Sequence, residues 1–180
     1  MFTNCTSLES LNLSNFITSS AKKFVRTFSN CSSLVNLNLS NWDVSSVSTF
    51  SSMFQNCSSL VNLNLSGWNT SNLLDFTQMF SGCTSLQNLN LSNWDVSNIN
   101  DFEALFKNCT SLVNLNLSGW DTSAATSFKS LFENCSSLVT LDLSSFNASN
   151  VTKTTWMFNG DSSLKTVYVD PVIWNMTNVG

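Results

Sequence analysis

Leucines recur along the chain in the spacing L-x-x-L-x-L, as at Leu60, Leu63 and Leu65, and the second half of each such stretch alternates apolar with polar residues. Alternation of period two is the signature of a half-buried strand, so Leu63 and Leu65 are expected to face a core while Asn62, Asn64 and Ser66 face outward. The pattern returns every 26 residues, in step with Cys5, Cys31, Cys57, Cys83, Cys109 and Cys135, and Asp161 stands at the seventh place. A fixed period of this length marks a repeat array, in which one unit cannot bury its own apolar face and must stack on its neighbours. Each unit then contributes one short strand, and strands about 4.8 Å apart form a parallel sheet along the stack.

Between the strands the apolar period changes. Val47, Phe50, Met53 and Phe54, and one unit later Leu73, Phe76, Met79 and Phe80, fall at i, i+3, i+6 and i+7, the spacing of one helix face. The residue before each cysteine is only Asn or Gly: Asn4, Asn30, Asn56, Gly82, Asn108 and Asn134, with Gly160 before Asp161. These two types best tolerate a positive φ, so the column is expected to close a helical turn in the left-handed conformation. A second column, from Asn15 through Asn41, Gly67, Asn93 and Gly119 to Ser145, marks the turn out of the strand. The expected fold is an α/β leucine-rich-repeat solenoid, with a parallel sheet on one face and short helices or 3-10 turns on the other. It has about seven rungs, starting at 5, 31, 57, 83, 109, 135 and 161, in one domain over residues 1–180.

The 14 phenylalanines fall in three columns, those of Phe50, of Phe54 and of the strand exit, where Phe16 and Phe146 replace Trp42, Trp68, Trp94 and Trp120. Aromatic ladders that follow the backbone period serve a stacked core rather than one ligand site. With 42% hydrophobic residues the chain can bury such a core, yet only 10% is charged, and Ser and Asn take the outward positions. A net charge of -4 without a basic stripe argues against a nucleic-acid partner, since phosphate binding needs clustered Lys and Arg. No apolar run approaches the ~20 residues of a membrane span.

Catalytic chemistry finds no footing in the pattern. There is no His to act as a base, and no C-x-x-C spacing to hold a metal, so neither a cofactor nor a metal is expected. The cysteines read as buried thiols acting as small hydrophobes, with bridging between neighbouring rungs as the alternative. Asp43, Asp95 and Asp121 form a broken column that reads as turn caps, because calcium would need six or more oxygens in one cage. The N-x-S/T sequons, among them Asn30, Asn64, Asn150 and Asn175, occur mainly in the turn and ladder columns and read as by-products of the repeat.

The stretch MFQNCSSLVNLNLSGWNTSNLLDFTQMF at 53–80 resembles the 26-residue leucine-rich repeat of BspA-like surface proteins, also found in mycoplasma lipoproteins, roughly MFxNCSSLxxLDLSxFDTSNVTDMxxMF. The resemblance extends over essentially the whole chain. It implies an extracellular or cell-surface protein engaged in adhesion, non-enzymatic, with protein or glycan on another cell or matrix, or copies of itself, as partner. The chain departs from the pattern where Asn replaces Asp in the "LDLS" column except at Asp142, and where the basic stretch NFITSSAKKFVRTF at 15–28 is irregular.

The candidate binding face follows from the strand alternation. It comprises Asn36, Asn62, Asn88 and Asn114 in one column, Asn38, Asn64, Asn90 and Asn116 in the next, and Ser40, Ser66, Ser92 and Ser118 beyond. Residues 161–180, with Tyr168 in the ladder and the single proline Pro171, are expected to cap the stack, and the chain is expected to belong to a longer array. Two alternatives remain open at this level: head-to-tail assembly into filaments, and recognition of a regular lattice such as ice or crystalline polysaccharide.

Overall fold

The structure is a computed structural model, which describes residues 1–174. Residues 175–180, which include the end of the expected cap and the sequon at Asn175, lie outside the described residues. Strands form where the alternation places them: β1 (Asn36–Asn38), β2 (Asn62–Asn64), β3 (Asn88–Asn90), β4 (Asn114–Asn116), β5 (Thr140–Leu143) and β6 (Thr166–Val169). All pairing is parallel and in register with the sequence repeat, Asn36 opposite Asn62 and Leu37 opposite Leu63. The chain is thus a stack of 26-residue repeats with parallel strands.

The sheet is not continuous. β1 pairs with β2, β3 with β4 and β5 with β6, giving three two-stranded sheets with breaks after β2 and after β4. Leu37, Leu89 and Leu141 are buried, whereas Leu63 and Leu115, on the strands at the breaks, are only partly so. The sequence at the strand exit alternates in step. Units with S-N-W-D-V-S, at 40–45 and 92–97, precede units with S-G-W-x-T-S, at 66–71 and 118–123. In the second kind the tryptophan reaches back into its own pair: Trp68 Nε1 donates to the Leu39 carbonyl at 2.9 Å and Trp120 Nε1 to that of Leu91 at 2.8 Å. The threonine reaches forward across the break. Thr70 Oγ1 accepts the Asp95 N–H at 2.7 Å and donates to the Asp95 carbonyl at 3.2 Å, and Thr122 does the same to Asn147 at 2.8 and 3.0 Å. A hydroxyl clamp therefore stands where the strand ladder is open.

The expected helices do not form; among the described residues there is none. A helix needs each N–H to bond the carbonyl four residues back, and here alternate N–H groups are taken by the next unit. Those of Phe50, Ser52, Phe54 and Asn56 donate to the carbonyls of Asp75, Thr77, Met79 and Ser81, while those of Met53, Gln55 and Cys57 close turns onto Phe50, Ser52 and Phe54. The apolar side chains at i, i+3, i+6 and i+7 still point inward, because consecutive turns bring them round as a helix would. The left-handed residues expected before the cysteines are present, with φ between 58° and 63° at the asparagines and near 80° at Gly82 and Gly160. A second left-handed column, Arg26, Ser52, Gln78, Ala104, Ser130 and Trp156, accompanies it.

The core is a set of aromatic and aliphatic columns running the length of the stack. Phe28, Phe54, Phe80, Phe106, Phe132 and Phe158 stack with ring centroids 5.7 Å apart. Trp68 and Trp94 stack at 5.8 Å, and Trp120 and Phe146 at 6.0 Å. Leu34, Leu60, Leu86, Leu112 and Leu138 are fully buried in the same core. This packing holds the outward residues of the strands at fixed spacing.

Candidate functional site

The strands turn both asparagine columns outward. Asn36, Asn62, Asn88 and Asn114, and likewise Asn38, Asn64, Asn90 and Asn116, are all exposed, with Ser66 and Ser118 exposed and Ser40 and Ser92 half-buried beside them. The asparagines line shallow depressions of about 600 Å³ over β1 and β2 and about 660 Å³ over β3 and β4. The two columns are bonded differently. In the first, amides pair within each two-stranded sheet: Asn62 Nδ2 donates to Asn36 Oδ1, and Asn114 Nδ2 to Asn88 Oδ1, both at 2.6 Å.

In the second column each side chain folds onto its own turn. The N–H groups of Ser40, Ser66, Ser92 and Ser118 donate to Oδ1 of Asn38, Asn64, Asn90 and Asn116 at 3.0–3.1 Å. Asn12 accepts from Ser14 in the same way at 3.0 Å. Such an Asx turn engages one lone pair of the oxygen and leaves the NH₂ to solvent. Among the described residues no protein group accepts from Nδ2 in this column. The face therefore offers a row of oriented donors, one per unit. At Asp142 the row ends in a carboxylate, which holds the same turn through the Ser144 N–H at 2.9 Å. The hydroxyl and N–H of Ser144 also hold that carboxyl below the usual range.

A second polar ladder runs along another edge, where the column before the cysteines carries more than backbone geometry. Asn30 Nδ2 donates to Asn4 Oδ1 at 2.7 Å, Asn56 to Asn30 at 2.9 Å and Asn134 to Asn108 at 2.8 Å. The neighbouring hydroxyls, among them Ser58, Thr84 and Thr110, donate to carbonyls of the preceding unit at 3.1–3.3 Å. A groove of about 910 Å³ follows this ladder. Its amides and hydroxyls are mostly spent on holding units together, which distinguishes it from the sheet face. Only the Asn-for-Asn recurrence signals this ladder in the sequence, and that signal is shared with the need for a positive φ.

The cysteines are free thiols, Cys5 exposed and the others buried. Each buried Sγ donates to a phenylalanine carbonyl of the preceding unit, as Cys57 does to Phe28 at 3.1 Å and Cys109 to Phe80 at 3.2 Å. Burial pushes the Cys57 thiol up to about 12, with the neighbouring Cys31 adding to it and a backbone N–H opposing it, so it stays protonated and unreactive. The aspartate column caps turns as expected. Asp43 accepts the N–H and hydroxyl of Ser45 at 3.0 and 2.7 Å, bonds that hold its carboxyl below the usual range. Among the described residues no three His, Cys, Asp or Glu side chains converge as metal ligands would. The ion pairs Lys107–Glu133, at 2.9 Å, and Lys129–Glu103, at 2.8 Å, lie in the turn segments and tie one unit to the next.

The leucine spacing, the parallel strands and the stacked 26-residue units define a leucine-rich repeat protein. Within that class, the chain belongs to the family described as "Mycoplasma protein of unknown function, DUF285", which matches residues 1–90 and 76–180. The mycoplasma-type repeat read from the sequence is thereby borne out. No curated protein matches the chain. Among solved structures it is similar to a leucine-rich repeat protein from Bacteroides ovatus, at 22% identity and a TM-score of 0.43, over 94% of this chain and 56% of that one. It is also similar to a leucine rich cell surface protein from Faecalibacterium prausnitzii, at 16% identity and a TM-score of 0.24, over 97% of this chain and 76% of that one. The chain thus spans little more than half the length of the first of these structures.

Proposed function

We propose that the chain is a non-catalytic interaction module of a cell-surface protein, a solenoid of about seven rungs that uses its sheet face against a protein or glycan on another cell or matrix. The observation that carries this reading is the row of Nδ2 donors in the second asparagine column. It is exposed, oriented by Asx turns and unspent on the fold. The amides of the second ladder, by contrast, are paired between units. Neutrality of the face suits selective hydrogen bonding over charge steering, which salt would screen.

Replacing Asn62, Asn64, Asn88 and Asn90 together by Lys tests the face. Beads coated with the variant should lose attachment to cell monolayers and immobilised matrix that beads with the natural chain retain, while thermal unfolding stays cooperative. Attachment that survives the four lysines in a folded variant removes the sheet face from consideration.

A further inference from the structure

The donor row repeats once per unit, but two clefts in the recognition face recur only every second unit. One, of about 350 Å³, is lined by Asn12, Ser14, Asn38 and Asn41. The other, of about 190 Å³, is lined by Asn64, Ser66, Asn90 and Asn93. Asn64, Asn90 and Asn93 follow Asn12, Asn38 and Asn41 by 52 residues each, two units of the repeat. At the corresponding place after β4 the residues are Asn116, Asp142 and Ser145, so the neutral amide set is confined to the first two. Neither cleft is lined by a charged side chain.

Two units advance by about 10 Å at strand spacing. A ligand that meets both clefts alike must repeat at that distance. An extended strand repeats its side chains at about 6.7 Å and fits neither one unit nor two. A polyproline-II helix repeats every three residues, roughly 9.3 Å, close to one pair of units. The hydrogen-bond sense of the face points the same way. In Asn12, Asn38, Asn64 and Asn90 the side-chain oxygen already accepts one serine N–H while both hydrogens of the NH₂ remain, so free donors outnumber free acceptors in the row. The polyproline-II backbone makes no internal hydrogen bonds and leaves its carbonyls open, and proline has no N–H to compete for acceptors. In the column beside the row, Val35 is 38% exposed and Val61 half-buried, an apolar edge for pyrrolidine rings flanked by Glu9 and Gln87.

We propose that the sheet face binds a proline-rich segment in the polyproline-II conformation, laid along the stack with one turn per pair of units and its carbonyls accepting from the Asn amides. This rests on the sheet face being the recognition surface. The test is titration of a fluorescently labelled polyproline peptide of about nine residues, three turns long, into the natural chain and into a variant carrying Asn38→Asp, Asn64→Asp and Asn90→Asp. Asp142 shows that aspartate keeps the turn, so the variant removes donors and spares the fold, which thermal unfolding verifies. Saturable binding is expected, weakened about tenfold or more in the variant. Absence of saturable binding, or equal binding by the variant, overturns the proposal. If cell attachment is lost in the lysine variant while the polyproline peptide does not bind, the recognition face stands and its proline-rich ligand is wrong. Binding of a neutral polysaccharide in place of the peptide overturns it in the same way.

Discussion

Asp161 shows what the cysteine position demands. The buried thiols of the stack each give a proton to a carbonyl of the preceding unit. An ionised carboxylate in that position has none to give, and Asp161 Oδ2 is buried without a partner while Oδ1 accepts the Cys135 N–H at 2.7 Å. Burial lifts the carboxyl from 3.8 to about 6, with the Cys135 N–H pulling it down and the Glu133 charge pushing it up. A carboxyl raised on folding weakens the fold where it is ionised in both states. The penalty is therefore full above pH about 6, fades as pH falls and is gone below the ordinary value of 3.8. The half-buried group is partly screened by solvent, so the penalty is about 1 kcal/mol at neutral pH. Asp161→Asn keeps the acceptor and should raise the melting temperature at pH 7 but not at pH 3.5. Asp43, Asp121 and Asp142, held low by serine hydroxyls and N–H groups, lose stability on acidification in both proteins and cancel from the comparison. An equal gain at both pH values would show that the effect is not ionisation.

Strands were legible in the sequence because their partner is a copy of themselves. The period-two leucines and the 26-residue recurrence together specify alternation, register and parallel sense. The outer segments were legible only as short helices or 3-10 turns, not as turns bonded to the next unit. Apolar spacing at Val47, Phe50, Met53 and Phe54 reports which side chains face inward, and consecutive turns meet it as well as a helix does. What separates the two is the destination of the N–H groups, here a unit 25 residues on, as from Phe54 to Met79. The left-handed column through Arg26, Ser52 and Ala104 leaves no compositional trace either, since each site costs only about 1 kcal/mol and the bonds between units offset it. The pairing of units was written in the alternation of Val44 and Val96 with Thr70 and Thr122, but its meaning depends on the forward bonds of the threonines. Thr70→Val copies the neighbouring units in shape while leaving the Asp95 N–H without its acceptor. It should cost about 1–2 kcal/mol in urea denaturation. Val96→Thr, which has no open break to clamp, should bring no matching gain. No loss for Thr70→Val would mean that the threonine hydroxyl does not hold the break.

At the scale of the whole molecule, the stack separates its polar groups by use. The ladder before the cysteines and the hydroxyls beside it bond unit to unit, the ion pairs brace the turn segments, and the second asparagine column keeps its NH₂ groups for solvent or a partner. The position of that column was readable from strand alternation, but its availability was not. Asn62 and Asn64 are both exposed, yet one is spent on Asn36 and the other is turned back on its own serine. The most direct measurement of the claim that the sheet face recognises a partner compares two variants of equal added charge. One carries Lys at Asn62, Asn64, Asn88 and Asn90, and the other at Leu74, Asn98, Asn100 and Ala124, which are exposed outside the strands. Attachment to cells and matrix should be lost in the first and kept in the second, with both folded. Equal attachment by the two variants, or equal loss, would contradict it.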